Sequence, residues 1–230
     1  MRSFADLFET VTAAASTDAE RNLTTSAAVK AALRITTTDS DTLIADLIPR
    51  VSQLVTDHCR LARDAAGSKP TFARETLRAT WHASSDHRCR GVELYLPWRL
   101  PLVSIDSVVE DGETLTAGTD FVVTGARPTR LQRMSGDTPI DWANAKIVVT
   151  FKAGFATTMS GNIDEALEAA AIEQLSAMIA GAGRDPLIRS ESFEGLGTVA
   201  YSTAGGDMLG AQFLLPSVRD MLAPWRNPLP

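Results

Sequence analysis

Cysteine, histidine and tyrosine are scarce in this sequence. Its 230 residues include two Cys, three His and two Tyr, and aromatic residues make up 6%. Cys59 and Cys89 are too few and too far apart for a disulfide framework, so reduced thiols are expected. His82, His87 and Cys89 form an H-x4-H-x-C run, with His58 and Cys59 upstream. A zinc site needs four ligands at tight spacing, and the fourth is missing or remote. No metal site is expected. No apolar run approaches the roughly 20 residues of a spanning helix. The N-terminus lacks the charged-then-apolar layout of a signal peptide, so the expected setting is intracellular, without membrane attachment.

Positive charge is also in short supply. The net charge is −6, and residues 161–230 hold 4 basic against 9 acidic residues. A phosphate backbone demands a basic surface, which argues against a nucleic-acid-binding module. Arg127, Arg130 and Arg133 are the one local basic cluster. With Asp137 and Asp141 close by, they read as a solvated hairpin, with a protein partner or DNA as the other options. Catalytic motifs are missing as well. Gly195-Leu-Gly197 lacks the third glycine of a dinucleotide fingerprint. Ser190 and Ser192 have no nearby His to activate them. Asp164, Glu165 and Glu168 are accounted for by the positive end of a helix dipole. No catalytic residue and no cofactor is expected.

What the sequence does contain is patterning. The helix at 163–181 is the best specified. Asn162 is placed as its N-cap, Glu165 at capping-box spacing, and Gly181 and Gly183 at its end. Leu167, Ala170, Ala171, Gln174, Leu175 and Met178 mark its apolar face. Helices are also expected at 24–34, capped by Thr25, and at 40–62, capped by Asp39 or Ser40. Pro49 should kink the second of these or split it. Phe4, Leu7, Phe8 and Val11 have helical spacing, which predicts an amphipathic N-terminal helix over residues 1–16. Residues 16–22 read as a linker.

From Thr71 the period changes to two, and strands are expected around 71–81, 93–96, 103–110, 121–124, 130–133 and 146–152. Asp111-Gly112 and Ala117-Gly118 read as turns, and the prolines of 96–102 as a corner. After the long helix, residues 184–203 read as extended chain bent at Gly-Leu-Gly. Pro216 opens a short helix and Pro224 follows it. The tail ends Trp225-Arg-Asn-Pro-Leu-Pro. It reads either as a peptide anchor, because Trp and Arg favour interface hot spots, or as a tail folded back on its own domain.

These stretches together resemble a known family. "LTTSAAVKAALRITTTDSDTLIADLIPRVSQLVTDHCR", "ELYLPWRLPLVSIDSVVEDGETLTAGTDFVV", "VTFKAGFAT", "GRDPLIRSES", "GLGTVAYS" and "LPSVRDMLAPWR" follow one another as in the head–tail connector proteins of long-tailed phages. The adaptor proteins of gene transfer agents are similar. The family pattern begins near Leu23, so residues 1–22 read as an added extension. The resemblance implies an α+β fold. Residues 23–66 and 160–203 would form a helical core, 71–157 an inserted antiparallel β-rich unit, and 204–230 a helix with an extended tail.

The implied function is structural: a virion adaptor ring, commonly dodecameric, under the portal. It would extend the DNA channel without gripping DNA and join the capsid to tail or neck proteins. The alternative is a nucleic-acid-binding accessory of DNA packaging. In the family the C-terminal segment docks on the portal. Carried over, this marks Leu215, Val218, Met221, Leu222, Trp225 and Arg226 as portal-binding, with Trp225 and Arg226 as anchors. Opposite faces of the 40–62 and 163–180 helices are the candidates for ring contacts.

Overall fold

The computed structural model describes residues 3–13, 21–83, 91–126, 129–156, 163–182, 190–193, 197–200 and 214–228. In chain order they form β1 (Ser3–Phe4), β2 (Leu7–Thr12), α1 (Ser26–Leu33), α2 (Asp41–His58), β3 (Glu75–Trp81), β4 (Glu93–Tyr95), β5 (Leu102–Glu110), β6 (Glu113–Thr114), β7 (Phe121–Ala126), β8 (Thr129–Ser135), β9 (Thr138–Pro139) and β10 (Ile147–Ala153). Then follow α3 (Glu165–Ala182), β11 (Ser190–Phe193), β12 (Gly197–Ala200), α4 (Pro216–Leu222) and a 3-10 turn (Ala223–Trp225). The fold is mixed α+β, as expected.

Strands β1 to β10 make two five-stranded sheets, and β11 pairs with β12 in a separate two-stranded sheet. One runs β1-β4-β8-β7 with β9 on β8, and the other runs β2-β3-β10-β5-β6. All their pairings are antiparallel except β1 with β4. In β10 the period-two rule is plain. Ile147, Val149, Phe151 and Ala153 are buried, and the residues between them are not. Leu77, Ala79 and Trp81 of β3 join them, with Leu94, Leu131 and Trp142 from the other sheet. The sheets thus share one apolar core. Asp111 and Gly112 turn β5 into β6 with φ of 51° and 87°. Positive φ at both positions is what a tight two-residue hairpin turn requires.

A second core is helical. Val29 of α1, Ile44, Leu47, Ile48, Val51 and Val55 of α2, and Leu167, Ala170, Ala171 and Leu175 of α3 meet there. Thr25 caps α1, its hydroxyl accepting from the Ala28 N–H at 3.2 Å. Ser40 precedes α2 without a side-chain cap bond. Asn162 lies outside the described residues. Asp164 supplies a cap bond to α3, its carboxylate accepting from the Ala166 N–H at 2.9 Å. Pro49 does not split α2, which runs unbroken over 18 residues. Nearby, the Ser52 hydroxyl donates to the Ile48 carbonyl at 2.8 Å and accepts from the Leu23 N–H at 3.0 Å.

The N-terminus corrects the reading of residues 1–16 as a helix. Leu7 to Thr12 pair antiparallel with β3, and Ser3 and Phe4 pair with β4. Phe8 is buried, whereas Phe4 and Val11 are 50% and 46% exposed. The helical spacing is real, but the edge of β3 offers the Phe-Glu-Thr-Val-Thr run a backbone partner. Tertiary pairing overrides the local period.

The two cores meet where β10 runs towards α3. Gly154 sits at φ 105°, and a Cβ there would lie 2.2 Å from the Ala73 carbonyl oxygen. That closeness lets the Phe155 N–H reach the Phe72 carbonyl and the Arg74 N–H reach the Phe155 carbonyl, both at 2.8 Å. Gly154→Ala should therefore destabilise the chain by about 1–3 kcal/mol or more. A urea midpoint unchanged from the parent would contradict this.

Candidate functional site

Among the described residues the sparse chemical groups do not converge. Among the described residues no three His, Cys, Asp or Glu side chains are placed to hold a metal ion. His82 stands at the end of β3, its Nδ1 3.9 Å from Asp6 Oδ2. His87 and Cys89 lie outside the described residues. Ser190 and Ser192 fall on β11, which pairs with β12. Cys59 is fully buried at the end of α2. Burial pushes its thiol pKa up to about 12, against a smaller lowering by Arg226. At pH 8 almost no thiolate is present, so a chain carrying Cys89→Ser should be inert to a thiol-specific disulfide reagent until unfolded. Native-state labelling as fast as in denaturant would refute that.

The most deeply buried charges sit between the two cores. Glu75 opens β3 and Arg99 lies in the Pro-rich corner, with side chains only 4% and 3% exposed. Arg99 Nη1 donates to Glu75 Oε2 at 2.9 Å and to the Thr71 carbonyl at 3.2 Å. Its guanidinium lies over the Phe8 ring, 5.7 Å from the centroid. Arg21 approaches the other Glu75 oxygen at 3.6 Å. Burial lowers the Arg99 pKa, and Glu75 and Asp64 oppose that effect. This geometry joins β2, β3, the corner and Arg21. Its charges face one another, and a buried pair held this way is a structural tie. Sequence reasoning missed it, because residues 24 apart in loop and strand carry no pattern linking them.

The basic cluster is likewise engaged. Arg130 on β8 donates to both Glu93 oxygens at 3.0 and 3.2 Å. Arg133 donates to Glu110 of β5 at 3.0 Å, and to the Asp120 and Met134 carbonyls at 2.7 and 2.8 Å. Arg133 therefore stitches one sheet to the other. Arg127 lies outside the described residues. Neither described guanidinium stands ready for a phosphate.

The C-terminal segment, read either as an extended anchor or as a tail folded back on its own domain, is folded back over residues 214–228. Val218 and Leu222 are fully buried and Trp225 is 6% exposed, all in the helical core. The Trp225 ring meets Phe72 edge-on at 6.1 Å and Phe155 at 6.1 Å. The Trp98 indole N–H donates to the Trp225 carbonyl at 3.1 Å, and the Asn227 N–H donates to the Cys59 carbonyl at 2.9 Å. Gln174 of α3 accepts from the Leu215 N–H at 2.9 Å. Of the six residues marked for portal contact, Val218, Leu222 and Trp225 thus face inward. Leu215 and Met221 are half-buried, and Arg226 is exposed.

No protein-family model matches this chain. No curated protein matches it either. Solved structures do. A chain from the virion of a native gene transfer agent particle superposes with a TM-score of 0.52 at 13% identity, over 97% of this chain and 96% of that one. This is a fold found in gene transfer agent particles. A chain from the neck of the empty particle, computed with C6 symmetry, gives 0.51 at 14% identity, and one from the native neck with C12 symmetry gives 0.50 at 14%. Each of these two likenesses covers 97% of both chains. At such identity the likeness concerns the fold. Because it runs nearly end to end, it takes in both the sheets and the helices. The sequence resemblance to gene transfer agent adaptors and the fold likeness agree.

Proposed function

We propose that this chain is a structural neck component of a phage or gene transfer agent particle: a head–tail adaptor without enzymatic activity. The end-to-end likeness to gene transfer agent neck chains supports this reading most directly. In it, copies of the chain close into a ring, in keeping with the symmetric necks of those particles. The ring sits under the portal, extends the DNA channel and receives tail or neck proteins on its far side. DNA passes through without being held, since the net charge is −6 and Arg130 and Arg133 are tied to carboxylates. No helix among the described residues is long and apolar enough to cross a membrane. The place of work is the virion neck.

The portal contact is assigned to the C-terminal segment. Of the six residues marked for this contact Arg226 is the exposed one, and Leu215 and Met221 are half-buried. Val218, Leu222 and Trp225 hold this surface from beneath. The test is incubation with the portal protein of the same particle, followed by electron microscopy. Rings stacked coaxially on the portal are expected. Portal that stays bare at saturating concentrations of the chain would refute the assignment.

A further inference from the structure

Among the described residues several cations take part in no ion pair, and three of them form one exposed patch. It lies at the C-terminal end of α2. His58 ends the helix, and Arg60 follows in a left-handed turn with φ 55°. Arg219 comes from α4, its Nε donating to the Leu214 carbonyl at 3.0 Å. Arg226 follows the 3-10 turn and is brought to the same place by the bond from Asn227 to Cys59. All three guanidinium-bearing residues are exposed. Their proximity is felt by His58. Burial first, then the charges of Arg226, Arg219 and Arg60, hold its pKa below the ordinary value. Asp57, one residue before His58, is held by Arg63 at 2.8 Å. Among the described residues Arg60, Arg219 and Arg226 have no carboxylate partner, although acids outnumber bases in the chain by 28 to 22.

A helix C-terminus favours one nearby cation by about 0.3–1 kcal/mol, and Arg60 alone supplies it. Two more arginines arriving from the opposite end of the chain go beyond that need. Like charges gathered without counter-charge cost stability in the isolated chain and are recovered when an anionic surface covers them. Half-buried Leu215 and Met221 lie in the same C-terminal segment. Arginine with methionine is the composition of a protein interface, and a chain of net charge −6 opposes the dense phosphate charge of a nucleic acid more than a protein face with scattered carboxylates.

We propose that Arg60, Arg219 and Arg226 form a docking surface for a carboxylate-rich face of a neighbouring protein in the particle. This rests on the neck reading and gives its portal-side contact a chemistry: acidic residues on the partner, met by guanidinium forks. The test uses the full chain and two variants, R60Q/R226Q and R60Q/R219Q/R226Q. The double variant leaves the Arg219 bond to Leu214 intact and so guards against misfolding, which unfolding curves would report. The probes are poly-L-glutamate and a short DNA duplex, followed by fluorescence anisotropy at low and high salt.

Poly-L-glutamate should bind the parent chain, weaken with salt, and lose about threefold to thirtyfold in affinity with the double variant, at a few tenths to one kcal/mol for each of the two exposed pairs removed. Unchanged binding by the variants overturns the proposal. Tighter binding of the duplex than of poly-L-glutamate overturns it in favour of nucleic acid. Incorporation into particles separates the two levels. Parent present and double variant absent supports docking through this surface. Both present overturns the docking surface and leaves the neck reading standing. Parent absent overturns both.

Discussion

Trp225→Ala should lower the folding stability of the isolated chain by about 3–5 kcal/mol, the range for truncating a buried aromatic. The urea midpoint should fall with an unchanged slope. The reason is position. The ring is packed edge-on against Phe72 and beside Phe155, and its carbonyl takes the Trp98 indole N–H. Removing the ring leaves a cavity where residues from α2, α3 and α4 meet. An anchor exposed on a loose tail would give the opposite pattern, with stability untouched. A shift below about 1 kcal/mol, within the range of ordinary surface substitutions, would show that the tail is not part of the core. This also changes how truncations are read. Removing the chain from Leu214 onward takes Val218, Leu222 and Trp225 out of the core together. Such a truncation tests folding before it tests docking, whereas Arg226→Gln leaves the core in place.

Arg99→Met should be as damaging as the tryptophan change. It removes the guanidinium that holds the buried Glu75 carboxylate at 2.9 Å, and breaking a buried pair from one side costs about 3–5 kcal/mol. Arg21, at 3.6 Å, compensates only in part. Arg99→Met combined with Glu75→Leu removes both charges and should recover most of the loss, because well-packed apolar replacements of an ion pair are often neutral. Chemical denaturation of the single, the reverse single and the double variant closes the cycle. Additive losses, with the double the least stable of the three, would mean that the two side chains act independently and do not tie the cores.

Much of this architecture could be read from local pattern, and the failures have a common cause. Strands β3, β8 and β10 were legible from alternation, because buried and less buried residues take turns along much of each. Thr25 was identifiable as a cap because a hydroxyl before an apolar run has few other uses there. The Asp111-Gly112 turn followed from the need for positive φ. The N-terminal strands were not legible. Leu7 and Phe8 have a spacing that suits a helix, and only the presence of β3, some 70 residues away, makes them a strand. The ion pair of Glu75 and Arg99 was invisible for the same reason.

The C-terminal segment was half legible. The composition of Trp225-Arg226 signalled a contact but not whether its own core or a partner would receive it. The structure divides the two residues, placing the indole inside and the guanidinium outside. The leftover cations at His58 could not have been found either, since they gather from residues 60, 219 and 226.

The central claim is that this chain is part of the particle itself, present in ring stoichiometry at the neck. Quantitative mass spectrometry of purified, DNA-filled particles tests it most directly, with the portal protein as internal standard. The account predicts a fixed multiple of copies per portal ring, in keeping with the sixfold and twelvefold symmetry of the necks that share the fold. Particles that are complete, tailed and infectious or transfer-competent but contain none of this chain would contradict it.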